Sequence, residues 1–181
     1  MKPLRTFGPP LADLIGPKPY VEMQTLFDEA QPPGRLYYNK GSIISNLSEE
    51  AIDTLIAYAR TMPTPLCSIY FEQLHGAAGR AGAVATAFPH RYDHYLFGAH
   101  PATDDPADCQ NMTLWARECW QAMQPFVEPD LYVNLLEDAL EEGEHRILEA
   151  YGANYERLVA VKNKYDPTNF FRLNANIKPS L

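Results

Sequence analysis

Residues 35–59 read RLYYNKGSIISNLSEEAIDTLIAYA, and the change of period inside this stretch decides the fold class. Its first half, Arg35 to Ser45, is rich in aromatic and β-branched residues and predicts a strand. Its second half opens with Ser48, a good N-cap, and places Glu49 and Glu50 in the first turn, where the helix dipole favours acid. Leu47 before the cap and Ile52 four residues after it form a hydrophobic staple. Ile52, Leu55, Ile56 and Ala59 then recur on one helical face, and Pro63 ends the run. A strand passing directly into an amphipathic helix asks for a helix laid on a sheet.

The same alternation continues outward. Leu66–Leu74 (LCSIYFEQL), Gly82–Phe88 (GAVATAF) and Tyr92–Gly98 (YDHYLFG) predict further strands. Asp105-Pro106 opens a second helix with proline at its first position, and Trp115, Cys119, Ala122 and Met123 give it an apolar face. Leu131–Leu135 predicts a short extended piece, followed by helices over 138–150 and 154–164 that Asp166-Pro167 stops. Toward the N-terminus, the prolines between Pro3 and Pro19 predict an extended arm over 1–19, with Tyr20–Phe27 ambiguous. Strands precede and mingle with helices without a strict βαβ order. The expectation is an α+β fold, an antiparallel sheet with helices on one face. A division at 128/129 is expected, with a sheet-and-helix region over 1–128 and a C-terminal segment over 129–181, the two forming one compact unit.

Composition narrows the function. At 181 residues the chain suits about one domain, and its 46% apolar and 21% charged residues give a globular balance rather than a disordered one. A net charge of −8 with no Lys/Arg run argues against nucleic acid. No apolar run reaches the roughly 18 residues a membrane span needs, and the first residues lack a signal-peptide core, so a cytoplasmic location is expected. Cys67, Cys109 and Cys119 offer no C-x-x-C pair, which fits free thiols in a reducing compartment.

Several motifs invite chemistry. Gly76-Ala-Ala-Gly79-Arg-Ala-Gly82 looks like a phosphate loop, but extended residues follow it where a helix N-terminus is needed. His90 and His94 are four apart on a stretch that predicts a strand, where such spacing does not converge on a metal. The acidic run Glu137, Asp138, Glu141, Glu142 and Glu144 reads as a solvated helix face. Tyr132-Val133-Asn134 places a phenol and an amide two apart, on one face of an extended stretch. That pair can serve a substrate hydroxyl and a heterocycle edge.

Ala150-Tyr-Gly-Ala-Asn154, Arg157-Leu158 and the run from Lys162 through Asp166-Pro167 and Asn174-x-Asn176 to Pro179 resemble the C-terminal signature of the berberine-bridge-enzyme-like FAD-linked oxidases. Tyr132-x-Asn134, Ala85-Thr-Ala-Phe-Pro-His-Arg91 and Leu47–Ile56 resemble upstream parts of the same family. The resemblance implies a substrate-facing sheet, a tail that packs against a flavin domain, and hydride transfer to FAD from an alcohol, sugar, alkaloid-like or polyketide-like substrate. It implies that the N-terminal flavin-binding domain is not in this chain, which is then a fragment, a separate subunit or a relic. Partners implied are a small-molecule substrate and an FAD-binding polypeptide, or a second copy of the chain. The alternative is a flavin-free module that binds a small molecule or a partner.

Site residues carry over one at a time. Tyr132 matches the general base on the substrate hydroxyl, and both Tyr132 and Asn134 are expected at the cofactor, with Asn134 on the isoalloxazine. Arg80 stands where plant members carry a catalytic Glu or Gln. A phenol with a pKa of about 10 needs a nearby cation to act as base, and Arg80 ranks ahead of Lys40 and Arg91 for that part. Tyr38, Lys40 and Glu72 are the expected substrate-binding residues.

Overall fold

The computed structural model describes residues 2–136 and 144–180. The chain forms two compact units, Met1–Arg35 and Leu36–Leu181. The first contains α1 (Lys2–Phe7) and α2 (Tyr20–Gln24). The extended arm expected over 1–19 is therefore too long. Prolines exclude helix only between Pro9 and Pro19, whereas Pro3 sits in the first turn of α1, where its missing N–H costs nothing. Arg5 Nε donates to Asp13 Oδ2 at 2.6 Å across the intervening loop.

In the second unit, the strand read over 35–45 divides into β1 (Leu36–Tyr37) and β2 (Lys40–Ile44). Then follow α3 (Glu49–Ala59), β3 (Ser68–Leu74), β4 (His94–His100) and β5 (Ala102–Thr103). The main sheet is antiparallel with order β2-β4-β3, and β1 pairs with β5. A single 3-10 turn at Pro106–Asp108, capped by Asp105, leads into α4 (Cys109–Met123). Beyond it lie α5 (Glu144–Tyr151) and α6 (Tyr155–Tyr165). Residues 138–143 of the expected first C-terminal helix, and most of the acidic run, lie outside the described residues. Among the described residues no helix is long and apolar enough to cross a membrane.

Ser48 caps α3 as its sequence predicts, accepting from the Ala51 N–H at 3.2 Å, an interaction of about 1 kcal/mol. The core lies between α3, α4 and one face of the sheet. Ile44, Phe97 and Ala99 pack there with Leu55, Trp115, Cys119 and Met123. Burial pushes the Cys119 thiol up to about 12, so it behaves as a small apolar side chain. Ile52 and Ile56 are turned further out than their spacing suggests. They border an apolar groove of about 220 Å³ that Phe71 also lines. Ala51 and Leu55 make the buried contact of α3 instead.

The strand expected over Gly82–Phe88 does not form. Residues between β3 and β4 make a long loop whose carbonyls are satisfied by side chains rather than by a neighbouring strand. Arg91 donates to the Ala78 carbonyl at 2.9 Å and to Thr86 Oγ1 at 2.6 Å. Asn154 donates to the Ala83 and Thr86 carbonyls at 2.8 and 3.1 Å, and Arg157 to that of Val84 at 3.0 Å. The C-terminal tail is ordered by the same kind of bond. The Asp166 carboxylate accepts the Phe170 and Phe171 N–H groups at 2.7 and 3.0 Å. Lys162 Nζ reaches both Asp166 Oδ2 and the Phe171 carbonyl at 2.5 Å. Contact with Lys162 holds the Asp166 carboxyl below its ordinary range. Asn169 and Asn174 take left-handed φ values of 56° and 59°, which asparagine tolerates.

Candidate functional site

Alternation along the strands sorts the sheet into two faces. Lys40, Ser42 and Ile44 of β2, with Phe97 and Ala99 of β4, face α4. Ile43, Leu96 and Leu74 point the other way, where Leu135 and Tyr132 pack on them. Glu72 pairs with Leu96 across β3 and β4 and shares this second face. So do Tyr70, Gly98 and His100. Tyr70 lies flat over Gly98, so close that a Cβ there would meet its ring at 2.3 Å. Its phenol is 3.3 Å from the Asn39 amide nitrogen, and its ring meets His100 edge-on. Burial lowers the His100 pKa.

The expected substrate residues therefore separate. Glu72 is exposed on the Tyr132 face. Lys40 is buried on the helix face, 4.8 Å from the Trp120 ring centre, where indole and ammonium attract. Tyr38 is on that face too, its hydroxyl accepting from Arg117 Nε at 3.1 Å. Both lie on the sheet face opposite the one on which Tyr132 packs. A one-residue step in a strand reverses the face, and β2 begins at Lys40, after the break from β1.

Leu131–Leu135 is not the extended piece its pattern suggests. Tyr132 itself is extended (φ −94°, ψ 122°), but Val133–Leu135 closes a 3-10 turn. That turn folds Asn134 back, so that its Nδ2 donates to the Tyr132 phenol oxygen at 2.8 Å. The pair is adjacent through a turn rather than through strand alternation. Asn134 is exposed, and Tyr132 is half-buried with its ring edge-on to Phe88, centroids 5.3 Å apart. Tyr151 is a second half-buried phenol nearby. Burial, and then Tyr132, raise its pKa.

Arg80 is exposed in the loop between β3 and β4, and among the described residues no hydrogen bond or ion pair joins it to Tyr132. Arg91 is the cation the structure links to the site. Its guanidinium lies 4.9 Å from the Phe88 ring centre, and Phe88 meets Tyr132. Both histidines are buried and bonded to backbone. His94 Nδ1 is 2.7 Å from the Tyr92 carbonyl, and His90 Nε2 is 2.7 Å from that of Leu131. Tyr92 donates to Asp130 Oδ2 at 2.6 Å, and burial and that carboxylate raise its pKa. The glycine-rich stretch 76–82 turns at Gly76 (φ 63°) and runs on through loop to β4, with no helix N-terminus behind it.

The spacing of Tyr132 and Asn134 announced their pairing, but nothing in a single segment announced Phe88, His90, Asp130, Asn154 or Arg157 as its supports. Phe88-x-His90-Arg91 and Ala150–Asn154 each resemble parts of one family, and that resemblance alone does not say that the two segments touch.

Comparison with known proteins adds the context. Residues 131–178 match a family model described as berberine and berberine like. An FAD-linked oxidoreductase of Dictyostelium discoideum is 29% identical over 178 residues, covering 97% of this chain and 38% of that protein. Berberine bridge enzyme-like 4 of Arabidopsis thaliana is 27% identical, covering 85% of this chain and 32% of its own length. The structure of berberine bridge enzyme from Eschscholzia californica superposes with a TM-score of 0.71 at 22% identity, over 80% of this chain and 33% of that one. The chain thus spans about two fifths or less of the relatives it matches. In sequence and in fold the chain is thus similar to the C-terminal part of berberine bridge enzyme-like FAD-linked oxidoreductases.

Proposed function

We propose that this chain is the substrate-facing C-terminal part of an FAD-dependent oxidoreductase acting on an alcohol-type or natural-product substrate. The observation that carries the reading is the Tyr132 phenol held by the Asn134 amide at 2.8 Å, on a turn packed against the sheet face opposite the helices. The residues fit one edge of a flavin. Asn134 presents an exposed amide suited to a heterocycle, while among the described residues no glycine-rich turn opens a helix that would hold the pyrophosphate. The cofactor, when bound, supplies the hydride acceptor. The reading therefore pairs this chain with a flavin-binding polypeptide segment, and the chain alone binds FAD weakly.

On this reading Tyr132, as the phenolate, takes the proton of the substrate hydroxyl, and Asn134 fixes the phenolate oxygen in position for it. Phe88 supports the ring edge and Arg91 supplies positive charge behind Phe88. Glu72 contacts polar groups of the substrate from the same sheet face. Exposed Phe170 and Phe171, presented by the Asp166–Lys162 clasp, dock on the flavin-binding segment. The test is Tyr132→Phe in the protein assembled with that segment. Turnover falls by about 10²–10⁴, the range for losing a positioned base, with flavin content unchanged. Wild-type turnover in that variant would assign the base elsewhere.

A further inference from the structure

We propose that His90 is the positioning residue for Tyr132, a role that rests on the reading of Tyr132 as the substrate-facing base. No regular element holds Tyr132. It sits between loop and a single 3-10 turn with its side chain against Ile43, Leu96 and Leu135, so the course of its backbone depends on what grips the residues just before it. His90 grips both. Only 5% of its surface is exposed, and its Nε2 lies 2.7 Å from the Leu131 carbonyl and 3.2 Å from that of Ala150. Two acceptors at one nitrogen assign it the hydrogen, which it shares between them. Its Nδ1 faces Asp130 Oδ2 at 3.7 Å, and that carboxylate is itself held by the Tyr92 hydroxyl at 2.6 Å.

One ring thus ties three segments together: the end of the β3–β4 loop, residues 130–131, and the last turn of α5. Ala150 is in that turn, where carbonyls have no partner within the helix. The side chain of Tyr132 is reached by a second route. Phe88 meets His90 edge-on at 5.4 Å and Tyr132 edge-on at 5.3 Å, standing between them. Backbone on one side and ring packing on the other both run from Tyr132 to His90. Arg91, the neighbouring cation in sequence, is engaged elsewhere. The Arg91 guanidinium turns toward the Phe88 carbonyl, Thr86 and Ala78, not toward the imidazole. A buried histidine serving only the core would need none of this convergence on residues 130–132.

The experiment compares two polar replacements of similar bulk in the 181-residue chain, each carrying 3-fluorotyrosine at position 132, by ¹⁹F NMR. In His90→Gln the amide nitrogen takes the place of Nε2 and still reaches the Leu131 carbonyl. In His90→Asn it takes the place of Nδ1 and falls short. The expected result is one sharp resonance, shared by wild type and His90→Gln, and a resonance displaced by more than its linewidth or split in His90→Asn. Circular dichroism and a second label at Tyr58, in α3, remain as in wild type in both. An unmoved resonance in folded His90→Asn, an equal displacement in both variants, or unfolding of both would overturn the proposal. None of these readouts involves flavin. In the flavin-loaded assembly, His90→Asn then lowers kcat about 10²-fold, the scale of an ångström-level misplacement, with KM unchanged and recovery in His90→Gln. Displaced NMR with normal turnover would leave His90 as the positioner and remove Tyr132 from catalysis.

Discussion

Gly98 is where a single added methyl group tests the site-facing side of the sheet. A Cβ at Gly98 would lie 2.3 Å from Tyr70 Cε1 and Cζ and 2.5 Å from its hydroxyl oxygen. Carbon atoms pack at roughly 3.5–4.0 Å, so the ring must move by more than 1 Å. It cannot slide freely, because its hydroxyl is engaged with Asn39 and its edge with His100. Gly98→Ala therefore overpacks the face at a cost of about 1–3 kcal/mol. In a chain of this size that lowers Tm by roughly 2–4 °C per kcal/mol. The assay is urea denaturation of wild type, Gly98→Ala, Tyr70→Ala and the double variant. With the ring gone, the three atoms nearest the added methyl are removed, so Gly98→Ala in the Tyr70→Ala background costs clearly less than in wild type. Equal costs in both backgrounds, or a Gly98→Ala variant as stable as wild type, would refute the close approach.

Asn154→Ala removes the amide that serves the carbonyls of Ala83 and Thr86, and lowers stability by about 1–2 kcal/mol. Limited proteolysis reads it directly, as faster cleavage within 76–92 than in wild type. Because burial lowers the His100 pKa below 6.5, the unfolded chain binds more protons between the folded value and 6.5. His100 therefore contributes stability that is complete above that pH and is lost as pH falls through the window. Denaturation midpoints on either side of pH 6.5 should show that slope reduced in His100→Gln. Phe170, Phe171 and Leu173 are exposed together on the tail, an apolar cluster that favours association. Light scattering across a dilution series should show wild type self-associating where Phe171→Asp stays monomeric.

The sequence carried the fold where the signal was local. Ser48 and the acids after it placed the start of α3, and Asp105-Pro106 placed the start of the 3-10 turn that leads into α4, because caps act within one turn. Gly82–Phe88 misled because its small, alternating residues have a strand's pattern, whereas the side chains that hold it as loop, Asn154 and Arg157, lie about 70 residues away. Lys40 misled in the other direction. Its charge suggested a site, but the face it occupies was decided by the register of β2 against β4 and by Trp120. The Tyr132–Asn134 pair was legible as two residue types at a fixed spacing, while the turn that joins them and the His90 ring behind them come from tertiary contacts.

The most direct test of the account is anaerobic mixing of the FAD-loaded protein, assembled with its flavin-binding segment, with a panel of sugar, benzylic and alkaloid-type alcohols. Absorbance of the oxidised flavin is followed in a single turnover. The account predicts that at least one of these alcohols bleaches the flavin stoichiometrically in wild type. Flavin that stays oxidised with every member of the panel, in a protein that holds it stoichiometrically, would contradict it.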